Sequence, residues 1–542
     1  MPVHLCRSSD IPQDLGYDSW FSVGEVSATP DAAEKRLKGI AYRLDRAFTA
    51  AAPQWWEIAR EIAAEPTGSF SHVACCAPSA SDFGSMLAWT RLIKELAQSD
   101  QSVLAICDDP WLFRQLRQEE NVSAGSPPSL WPLTLKLRFR GLVAQSFTAL
   151  RLLYTRFRFG SPHRATEYGK PFFYVYGHPQ SRPDGFDAYF ADMMSTFPQT
   201  LRMIHTDCRA PRARELSQNR RTFTAHAWGS RMAALKLIGK TWTPSKMLRQ
   251  GAFGWLIKRA ATHEAGGASA AMTAWQIHCQ NRWLDAARPS VVIWPWENHP
   301  WEKALARACA KRNIPTVGYL HTAIGPQMIN NSPNMNPDGL KAVPDRLLLI
   351  GPGYVRTVES MGLPSARLVI AGTTRFAKAQ GARHDPEGPV FVALSSNLGA
   401  SRQMLKAVDH ATPCGRRFLI KAHPMYPVEI IESDTVRQTP LGLMQQESLS
   451  AVVYCASIVG MESMLLGIPT IRFLPDDGIA MDVLPSEVKP VPCDLDGLQD
   501  AIGSIAPADP VAWEEVFAAV DLNVWASVVS PDQWNLSPGI EA

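Results

Sequence analysis

Ala451-Val-Val-Tyr454, Ser457-Ile-Val-Gly-Met-Glu462-Ser463-Met-Leu-Leu-Gly467-Ile-Pro469 and Thr470-Ile-Arg-Phe473 follow one another near the end of the chain. A short apolar run stops at small polar residues, a helical segment follows, and Gly467 and Pro469 end it before a second apolar run. Strands that alternate with helices in this way are typical of βαβ units and a parallel sheet. The stretch therefore predicts an α/β fold.

The turn before this helix carries side chains that suit a bound nucleotide. A helix N-terminus presents free N–H groups to an anionic phosphate, and a nearby hydroxyl adds a donor. Ser457 is the stronger candidate for that hydroxyl, with Ser463 beside it, and the Glu462 carboxylate suits the hydroxyls of a ribose. The structural alternative is that these groups only stabilise the start of the helix. The combined pattern favours binding of a nucleotide donor.

A second predicted strand also ends in reactive side chains. Phe418–Lys421 continues directly into His423 and Pro424. Ligands of open α/β sheets bind outside the carboxyl ends of the strands. We therefore expect His423 to donate to a phosphate of the donor, Pro424 to fix the turn and Lys421 to contact substrate. A histidine that merely caps a loop would give the same pattern.

Two further strand ends give weaker signals. Arg375 closes the segment Gly372-Thr-Thr-Arg, where an arginine could bind an acid group of the substrate. Ser395 and Ser396 follow the apolar run Val390–Leu394 and precede a helix. They are candidates for a phosphate contact, and helix capping explains them equally well.

The segment Trp294-Pro-Trp-Glu297-Asn-His299-Pro-Trp follows a predicted strand and opens a helix. Sugar transfer with inversion needs a base that deprotonates the acceptor hydroxyl. A carboxylate or imidazole at this strand end is well placed for that task, so Glu297 is the first candidate and His299 the second. His321 ends the next strand and is a candidate substrate contact. The alternative is that the prolines and tryptophans only build a rigid corner.

Composition excludes several classes of protein. With 542 residues, 46% apolar and 19% charged, the chain is globular and long enough for two or more domains. The net charge of +3 does not indicate a nucleic-acid partner. The ten cysteines form no CxxC or zinc spacing, and P-loop, GxGxxG and GxSxG motifs are absent. Without a convincing Asp-x-Asp motif, we expect a metal-independent reaction with no cofactor.

The segment Leu130–Arg164 has seven Lys or Arg residues and no acid, with Leu, Phe, Trp and Tyr interleaved. A basic, aromatic, amphipathic stretch suits the surface of an anionic membrane. The alternative is a solvated helical pair that packs on its own domain. The unpaired thiols, the lack of a signal-peptide core and the lack of a long apolar run predict a cytoplasmic protein, peripheral at the inner face of the membrane.

The alternation of strands and helices predicts two Rossmann-like domains with a cleft between them. We expect a helical preface over residues 1–70, an acceptor domain over 71–343 that carries the basic insertion 130–164, a nucleotide-sugar domain over 344–508, and a helical tail over 509–542. The closing helices are predicted to run back toward the first domain.

With these residues in place, the chain resembles GT-B glycosyltransferases of the bacterial surface carbohydrate biosynthesis family, over roughly residues 70–505. It is also similar to capsule-type sialyl- and Kdo-transferases, which use CMP-activated acidic sugars. The motifs that carry the resemblance are Trp296 to Leu305, Tyr319 to Thr322, Gly372 to Arg375, Lys421 to Pro424 and Ser457 to Pro469. The resemblance implies that His423 and Ser457 bind phosphate and that Glu297 is the base. In the sialyltransferases, Gly follows the catalytic acid, whereas Asn298 follows Glu297 here.

The sequence thus predicts an inverting glycosyltransferase that moves a sugar from a nucleotide-sugar donor to a bacterial surface glycan, with a CMP-linked nonulosonic acid or Kdo as the leading donor. A lipid-linked acceptor is one of the alternatives. A polyol-phosphate transferase or a nucleotide-sugar 2-epimerase of the same fold is a second reading. A third is a non-catalytic scaffold in polysaccharide assembly, which would tolerate loss of Glu297 and His423.

Overall fold

The computed structural model describes residues 2–12, 16–159, 168–378, 380–485, 488–506 and 509–530. The strands are β1 (Val3–Cys6), β2 (Ser19–Ser22), β3 (Val103–Ile106), β4 (Val122–Ala124), β5 (Pro171–Val175), β6 (Leu201–Ile204), β7 (Thr222–Thr224), β8 (Val291–Pro295), β9 (Thr316–Leu320), β10 (Arg346–Leu349), β11 (Leu368–Ile370), β12 (Arg383–His384), β13 (Val390–Ala393), β14 (Phe418–Lys421), β15 (Val436–Gln438), β16 (Ser448–Leu449), β17 (Ala451–Tyr454), β18 (Thr470–Phe473) and β19 (Val491–Cys493). The α-helices are α1 (Ile40–Ala64), α2 (Phe83–Ala97), α3 (Pro110–Leu116), α4 (Trp131–Phe159), α5 (Met193–Thr196), α6 (Ala210–Leu216), α7 (Arg231–Leu235), α8 (Lys246–Gln250), α9 (Gly254–Ala265), α10 (Ser269–Ala287), α11 (Pro300–Ala310), α12 (Val355–Ser360), α13 (Leu398–Ala411), α14 (Val459–Leu465), α15 (Leu498–Ser504), α16 (Trp513–Val516) and α17 (Leu522–Val529).

Two large parallel sheets organise the molecule. The first has seven strands in the order β11-β10-β9-β8-β5-β6-β7, and the second has six in the order β15-β14-β13-β17-β18-β19. Their central strands, such as β8 and β13, are buried along their whole length because helices cover both faces of each sheet. The predicted α/β fold, with two large parallel sheets that helices cover, is confirmed.

The domain boundary lies later in the chain than the sequence pattern predicts. Strands β10 and β11 pair with β9 and with each other, so they extend the first sheet. The second sheet begins only at β13. The predicted boundary at 343/344 therefore falls inside the first sheet. An apolar run of four residues identifies a strand, but only the pairing partner decides to which sheet that strand belongs.

The first seventy residues are not a purely helical preface. Strands β1 and β2 pair with β3, and β1 also pairs with β4, to form a separate parallel sheet of four strands. The apolar run after this preface, Val73–Cys75, is a short 3-10 helix. Helix α1 continues through Pro53. The strands are too short to show a periodicity of their own.

The end of the described chain returns to the first sheet. Ala518 N–H donates to the Ile350 carbonyl at 2.9 Å, and Thr373 N–H donates to the Ala518 carbonyl at 2.9 Å. In α17 the buried Trp525 packs edge-to-face against Phe190 and donates from Nε1 to the Ala371 carbonyl. The closing segment thus joins the core of the first domain. Residues 531–542 of the predicted tail lie outside the described residues.

The basic segment forms one long helix, α4, up to Phe159. Residues 160–164 of the predicted insertion lie outside the described residues. The helix packs on the first domain through Leu137, Ala149 and Leu152, which are buried. Within the described ranges, none of the helices combines the length and the apolar content that a membrane-spanning helix needs.

Candidate active site

The loop after β8 is held by a buried carboxylate. Glu302, at the start of α11, is fully buried. Its Oε2 accepts hydrogen bonds at 3.0 Å from the backbone N–H groups of Glu297 and Asn298 and from Trp294 Nε1, and its Oε1 accepts from His299 N–H at 3.2 Å. Burial raises the pKa of Glu302 to about 7. Glu302 is therefore a positioning residue that fixes the loop carrying the two predicted catalytic groups.

Glu297 and His299 form a hydrogen-bonded pair. His299 Nε2 lies 2.8 Å from Glu297 Oε2, and His321 Nε2 lies 3.6 Å from Glu297 Oε1. Burial opposes ionisation of Glu297, yet the hydrogen bond from His299 and the charges around it hold its pKa below the usual value. Burial lowers the pKa of His321 to about 4, so that imidazole is neutral. The cluster presents an ionised carboxylate at neutral pH.

Asn298, directly after Glu297, has an unusual backbone conformation. Its φ is +59°, in the left-handed region that glycine favours and asparagine tolerates. Its Nδ2 donates to the Asn330 carbonyl at 2.6 Å, while Asn330 Nδ2 donates to the Glu297 carbonyl at 2.8 Å. The position after the acid therefore needs a residue that accepts a left-handed backbone, and Asn298 meets that need.

Glu297 and His299 face a cavity of about 530 Å³ in the first domain. Several buried polar atoms of its lining have no partner among the described residues: His72 Nδ1, Tyr176 Oη, Gln276 Nε2 and His299 Nδ1. Buried polar groups are ordinarily hydrogen-bonded, so atoms left without partners around a cavity indicate a polar ligand. Trp301 adds an aromatic wall. This arrangement suits a ligand rich in hydroxyls.

The second sheet presents its own residues at the carboxyl ends of its strands. Ser457 follows β17 and His423 follows β14, with β13 between them. Neighbouring strands lie about 4.8 Å apart, so the two positions are separated by roughly 10 Å along this edge. The Ser457 hydroxyl is buried without a partner in the described structure, and Ala456 before it has a left-handed φ of +49°. His423 is half-buried and its ring packs on Tyr426 at 5.4 Å.

Arg375 lies between the two sets of residues. It lines a cleft cavity of about 330 Å³ together with Glu462 of α14. It also acts on the first domain, where its charge helps to lower the pKa values of Glu297 and His321. Burial raises the pKa of Glu462. The predicted contacts Glu297, His321, Arg375 and Glu462 are thus brought to one region of the cleft.

Other predicted contacts are placed elsewhere. Ser463 is buried inside the second domain, where its hydroxyl bonds to the Gly460 carbonyl and to Thr470 Oγ1, so the prediction of a donor contact is wrong. Ser395 is buried and accepts from Asn397 N–H in a turn, whereas Ser396 is exposed. Asn397, not either serine, caps α13. These serines differ from the prediction because of the direction in which their side chains point, and their spacing in the sequence does not reveal that direction.

Lys421 differs from the prediction of a substrate contact, and Pro424 lies in a turn. Lys421 Nζ donates to the Pro440 carbonyl, just after the neighbouring strand β15. This cation therefore stabilises the edge of the sheet. Pro424 is exposed in the turn that brings His423 against Tyr426. Neither side chain lines the cleft cavity, and the same holds for His423 and Ser457 at the neighbouring strand ends.

The two domains are joined beside the cleft by a buried polar network. Arg472 of β18 donates to Asp45 Oδ1 of α1 at 2.9 Å and to Gln327 Oε1 at 3.1 Å. Asp482 N–H donates to the same Gln327 oxygen at 2.8 Å. These contacts could not be predicted from the sequence, because the partners lie far apart in the chain.

Gly325→Ala is expected to separate the two domains at this polar network. A Cβ at Gly325 would lie 1.9 Å from the Asp482 carbonyl oxygen and 2.5 Å from its carbon, and backbone atoms cannot rotate away. Overpacking of this kind lowers the free energy of unfolding by about 1–3 kcal/mol. Small-angle scattering should show a larger radius of gyration. Gly478→Ala, where a Cβ meets nothing within 4 Å, is the control. Identical scattering of both variants would contradict the prediction.

Sequence reasoning missed most of the cavity lining. His72, Tyr176, Tyr189 and Gln276 come from different elements and follow no motif. Tyr189 packs edge-to-face on His321 at 4.7 Å, and burial lowers the pKa of His72 to about 4. Of these four, Tyr176 alone could have been predicted as a site residue, because it follows β5 at the same sheet edge as Glu297.

No family model and no curated protein matches the chain. Among solved structures, it is similar to the glycotransferase of kitacinnamycin (10% identity, 67% of this chain and 96% of that chain, TM-score 0.36). It is also similar to a putative UDP-N-acetylglucosamine 2-epimerase from Listeria monocytogenes (11%, 68% and 97%, 0.37) and to the glycosyltransferase SnogD from Streptomyces nogalater (11%, 63% and 97%, 0.32). Likeness at this level assigns no activity.

Proposed function

We propose that the protein is a glycosyltransferase that moves a sugar from a nucleotide donor to a glycan acceptor with inversion. The observation that carries the proposal is Glu297. It is an ionised carboxylate, fixed by Glu302, that faces a polar cavity on one side and lies near Arg375 of the cleft on the other.

The chemistry assigns each part a task. The acceptor hydroxyl occupies the polar cavity and gives its proton to Glu297 as its oxygen attacks the anomeric carbon. The bond from that carbon to the phosphate oxygen breaks, and the nucleotide leaves from the opposite face, which inverts the configuration. Ser457 and His423 hold the phosphate, and Glu462 holds the ribose. Arg375 offsets negative charge in the cleft.

The leading donor is a CMP-linked nonulosonic acid or Kdo. Such sugars carry a carboxylate, and an arginine guanidinium suits a carboxylate better than any other side chain because its donors form a planar fork. Arg375 supplies that group between Glu297 and Glu462. The His423-Pro424 and Ser457 motifs, which resemble those of CMP-sugar transferases, support the same donor.

The acceptor in this proposal is a surface glycan assembled at the inner face of the cytoplasmic membrane, where a lipid-linked chain would meet the enzyme. Two observations support it. The cavity beside Glu297 opens on the first domain, and that domain carries the basic helix α4. We place the protein peripherally on that membrane through α4.

Calorimetry with CMP, CDP, UDP and GDP tests the donor site. We expect CMP to bind and the variants His423→Ala, Ser457→Ala and Glu462→Gln each to weaken it about tenfold, the loss expected for one hydrogen bond to a charged group. His410→Ala, at the other end of α13, is the matched control. Preference for UDP or GDP would discard the CMP donor but keep the site.

Two other outcomes would overturn the proposal. Epimerisation of a UDP-sugar in the absence of any acceptor would identify a 2-epimerase. Failure of all four nucleotides to bind, together with full function of Glu297→Gln in a polysaccharide assembly assay, would identify a non-catalytic scaffold.

A further inference from the structure

Helix α4 leaves a long apolar face uncovered. Nine of its large apolar side chains are between 51% and 74% exposed: Trp131, Leu135, Phe139, Leu142, Val143, Phe147, Leu150, Tyr154 and Phe157. They recur every three or four residues, so they form one stripe along the helix. Monomeric soluble proteins rarely expose a contiguous stripe of this kind without a partner for it.

The stripe continues onto neighbouring elements of the same domain. Met232 and Leu235 of α7 are 64% and 50% exposed, and Met247 of α8 is 76% exposed. Helix α7 packs along α4, and α8 borders the same pocket as α4. These side chains widen the exposed apolar surface beyond a single helix. We call this surface of α4, α7 and α8 the apolar face.

The charge around the apolar face has one sign. Within α4 there are six cations and no acid: Lys136, Arg138, Arg140, Arg151, Arg156 and Arg158. A soluble protein partner would have to pair each cation that it buries with an acid, because an unpaired buried charge is costly. A lipid surface accepts both features, because aromatic rings insert at the headgroup level while long cationic side chains reach the phosphates.

A basic pocket opens at this face. It has a volume of about 410 Å³, and its lining includes Arg138 of α4, Arg249 of α8 and Lys258 of α9, together with Leu142 of the apolar stripe. The residues that line it include no Asp or Glu. None of the three cations forms a salt bridge to another described residue.

The pocket also holds a hydrogen-bond donor that has no partner. Trp242 is 1% exposed and lines the pocket, and its Nε1 makes no hydrogen bond within the described ranges. A buried donor without an acceptor, next to three cations, indicates an anionic ligand that brings hydrogen-bond acceptors. A phosphate diester has both properties.

We propose that the apolar face lies on the membrane surface and that the basic pocket binds the phosphate of an anionic phospholipid headgroup. Apolar side chains alone would bind neutral and anionic membranes alike. Three cations gathered at one pocket add selectivity for the anionic lipid, since each attracts the negatively charged headgroup. This inference rests on the membrane placement of the proposed function and deepens it by assigning a headgroup site, which uses none of the residues of the cleft.

Vesicle sedimentation tests the proposal. We expect the full chain to bind mixed vesicles that contain equal parts of phosphatidylglycerol and phosphatidylcholine. Vesicles of phosphatidylcholine alone should bind it far more weakly. The triple variant Arg138→Ala, Arg249→Ala, Lys258→Ala should lose roughly 100-fold in partitioning onto the anionic vesicles. The control Lys311→Ala, Lys341→Ala, Lys489→Ala removes three exposed cations elsewhere and should lose little.

Two further arms separate the apolar face from the pocket. Phe139→Ser with Phe147→Ser, both 69% exposed, should weaken binding to both kinds of vesicle without lowering the melting temperature. Soluble glycerol phosphate at millimolar concentration should compete poorly and release little protein, because headgroups on a bilayer are presented at a high local concentration beside the apolar face.

Three results would overturn the proposal: equal binding to neutral and anionic vesicles, a pocket variant that binds like its control, or release of the protein by glycerol phosphate alone. Each is independent of catalysis, since Glu297→Gln should still bind vesicles. Conversely, the pocket variant should still bind CMP, so failure of the nucleotide site and failure of the membrane site remain distinguishable.

Discussion

Glu297→Gln is expected to lower kcat for sugar transfer by roughly 100- to 10,000-fold, the usual contribution of a general base. The amide keeps the size of the side chain but cannot take the proton of the acceptor hydroxyl. CMP binding should change little, because Glu297 belongs to the acceptor side of the cleft. Steady-state kinetics with donor and acceptor, and calorimetry with CMP, measure the two effects separately.

The pH profile sharpens this test. The pKa of Glu297 lies below its usual value, largely because His299 donates to it against the effect of burial. The acid limb of kcat/KM should therefore fall at a pH below 4.5 in the wild type. His299→Asn removes that interaction, so its acid limb should move to higher pH. The control Glu120→Gln, an exposed carboxylate, should leave rate and profile unchanged.

Full activity of Glu297→Gln would exclude Glu297 as the base.

Glu302→Ala is expected to lower the free energy of unfolding by about 3–5 kcal/mol, because it leaves four N–H donors of the buried loop without an acceptor. Activity should fall with it, since the same bonds hold Glu297 and His299. Glu302→Gln keeps an oxygen acceptor and should lose less stability. Chemical denaturation monitored by tryptophan fluorescence, together with turnover of the folded fraction, checks both expectations.

The sign of the pH effect gives an independent check on Glu302. Its pKa in the folded protein is about 7, above the ordinary value of 4.5, so the folded state binds more protons between these two values. The contribution of Glu302 to stability is therefore greatest at low pH and is lost as the pH rises toward 7. Glu302→Gln cannot titrate and should flatten that part of the stability curve. An unchanged slope would show that Glu302 does not titrate there.

Much of the candidate site follows from the sequence by one geometric rule. Parallel strands place their carboxyl ends at a common edge, so any residue directly after a buried strand can be assigned to that edge. Glu297, His299 and His321 follow β8 and β9, and Ser457 and His423 follow β17 and β14. Their neighbourhood could therefore be predicted without knowing any distance between them.

The same rule does not tell which way a side chain points. Lys421 ends β14, yet its ammonium group reaches the Pro440 carbonyl. Ser463 lies in the helix after β17, and its hydroxyl is buried against Thr470. The role of Glu302 could also be identified only from the tertiary structure. An acid in the first turn of a helix has the same sequence pattern whether it caps that helix or accepts hydrogen bonds from a neighbouring loop.

The sequence by itself determined the α/β class, the strand ends that carry the site and the basic apolar character of α4, because these depend on local periodicity and on residues adjacent in the chain. Only the tertiary structure decided that β10 and β11 extend the first sheet, that β1 to β4 form a sheet of their own, and that Arg138, Arg249 and Lys258 meet in one pocket. These features depend on contacts between residues distant in sequence, and short apolar runs satisfy many alternative pairings equally well until the whole core is packed.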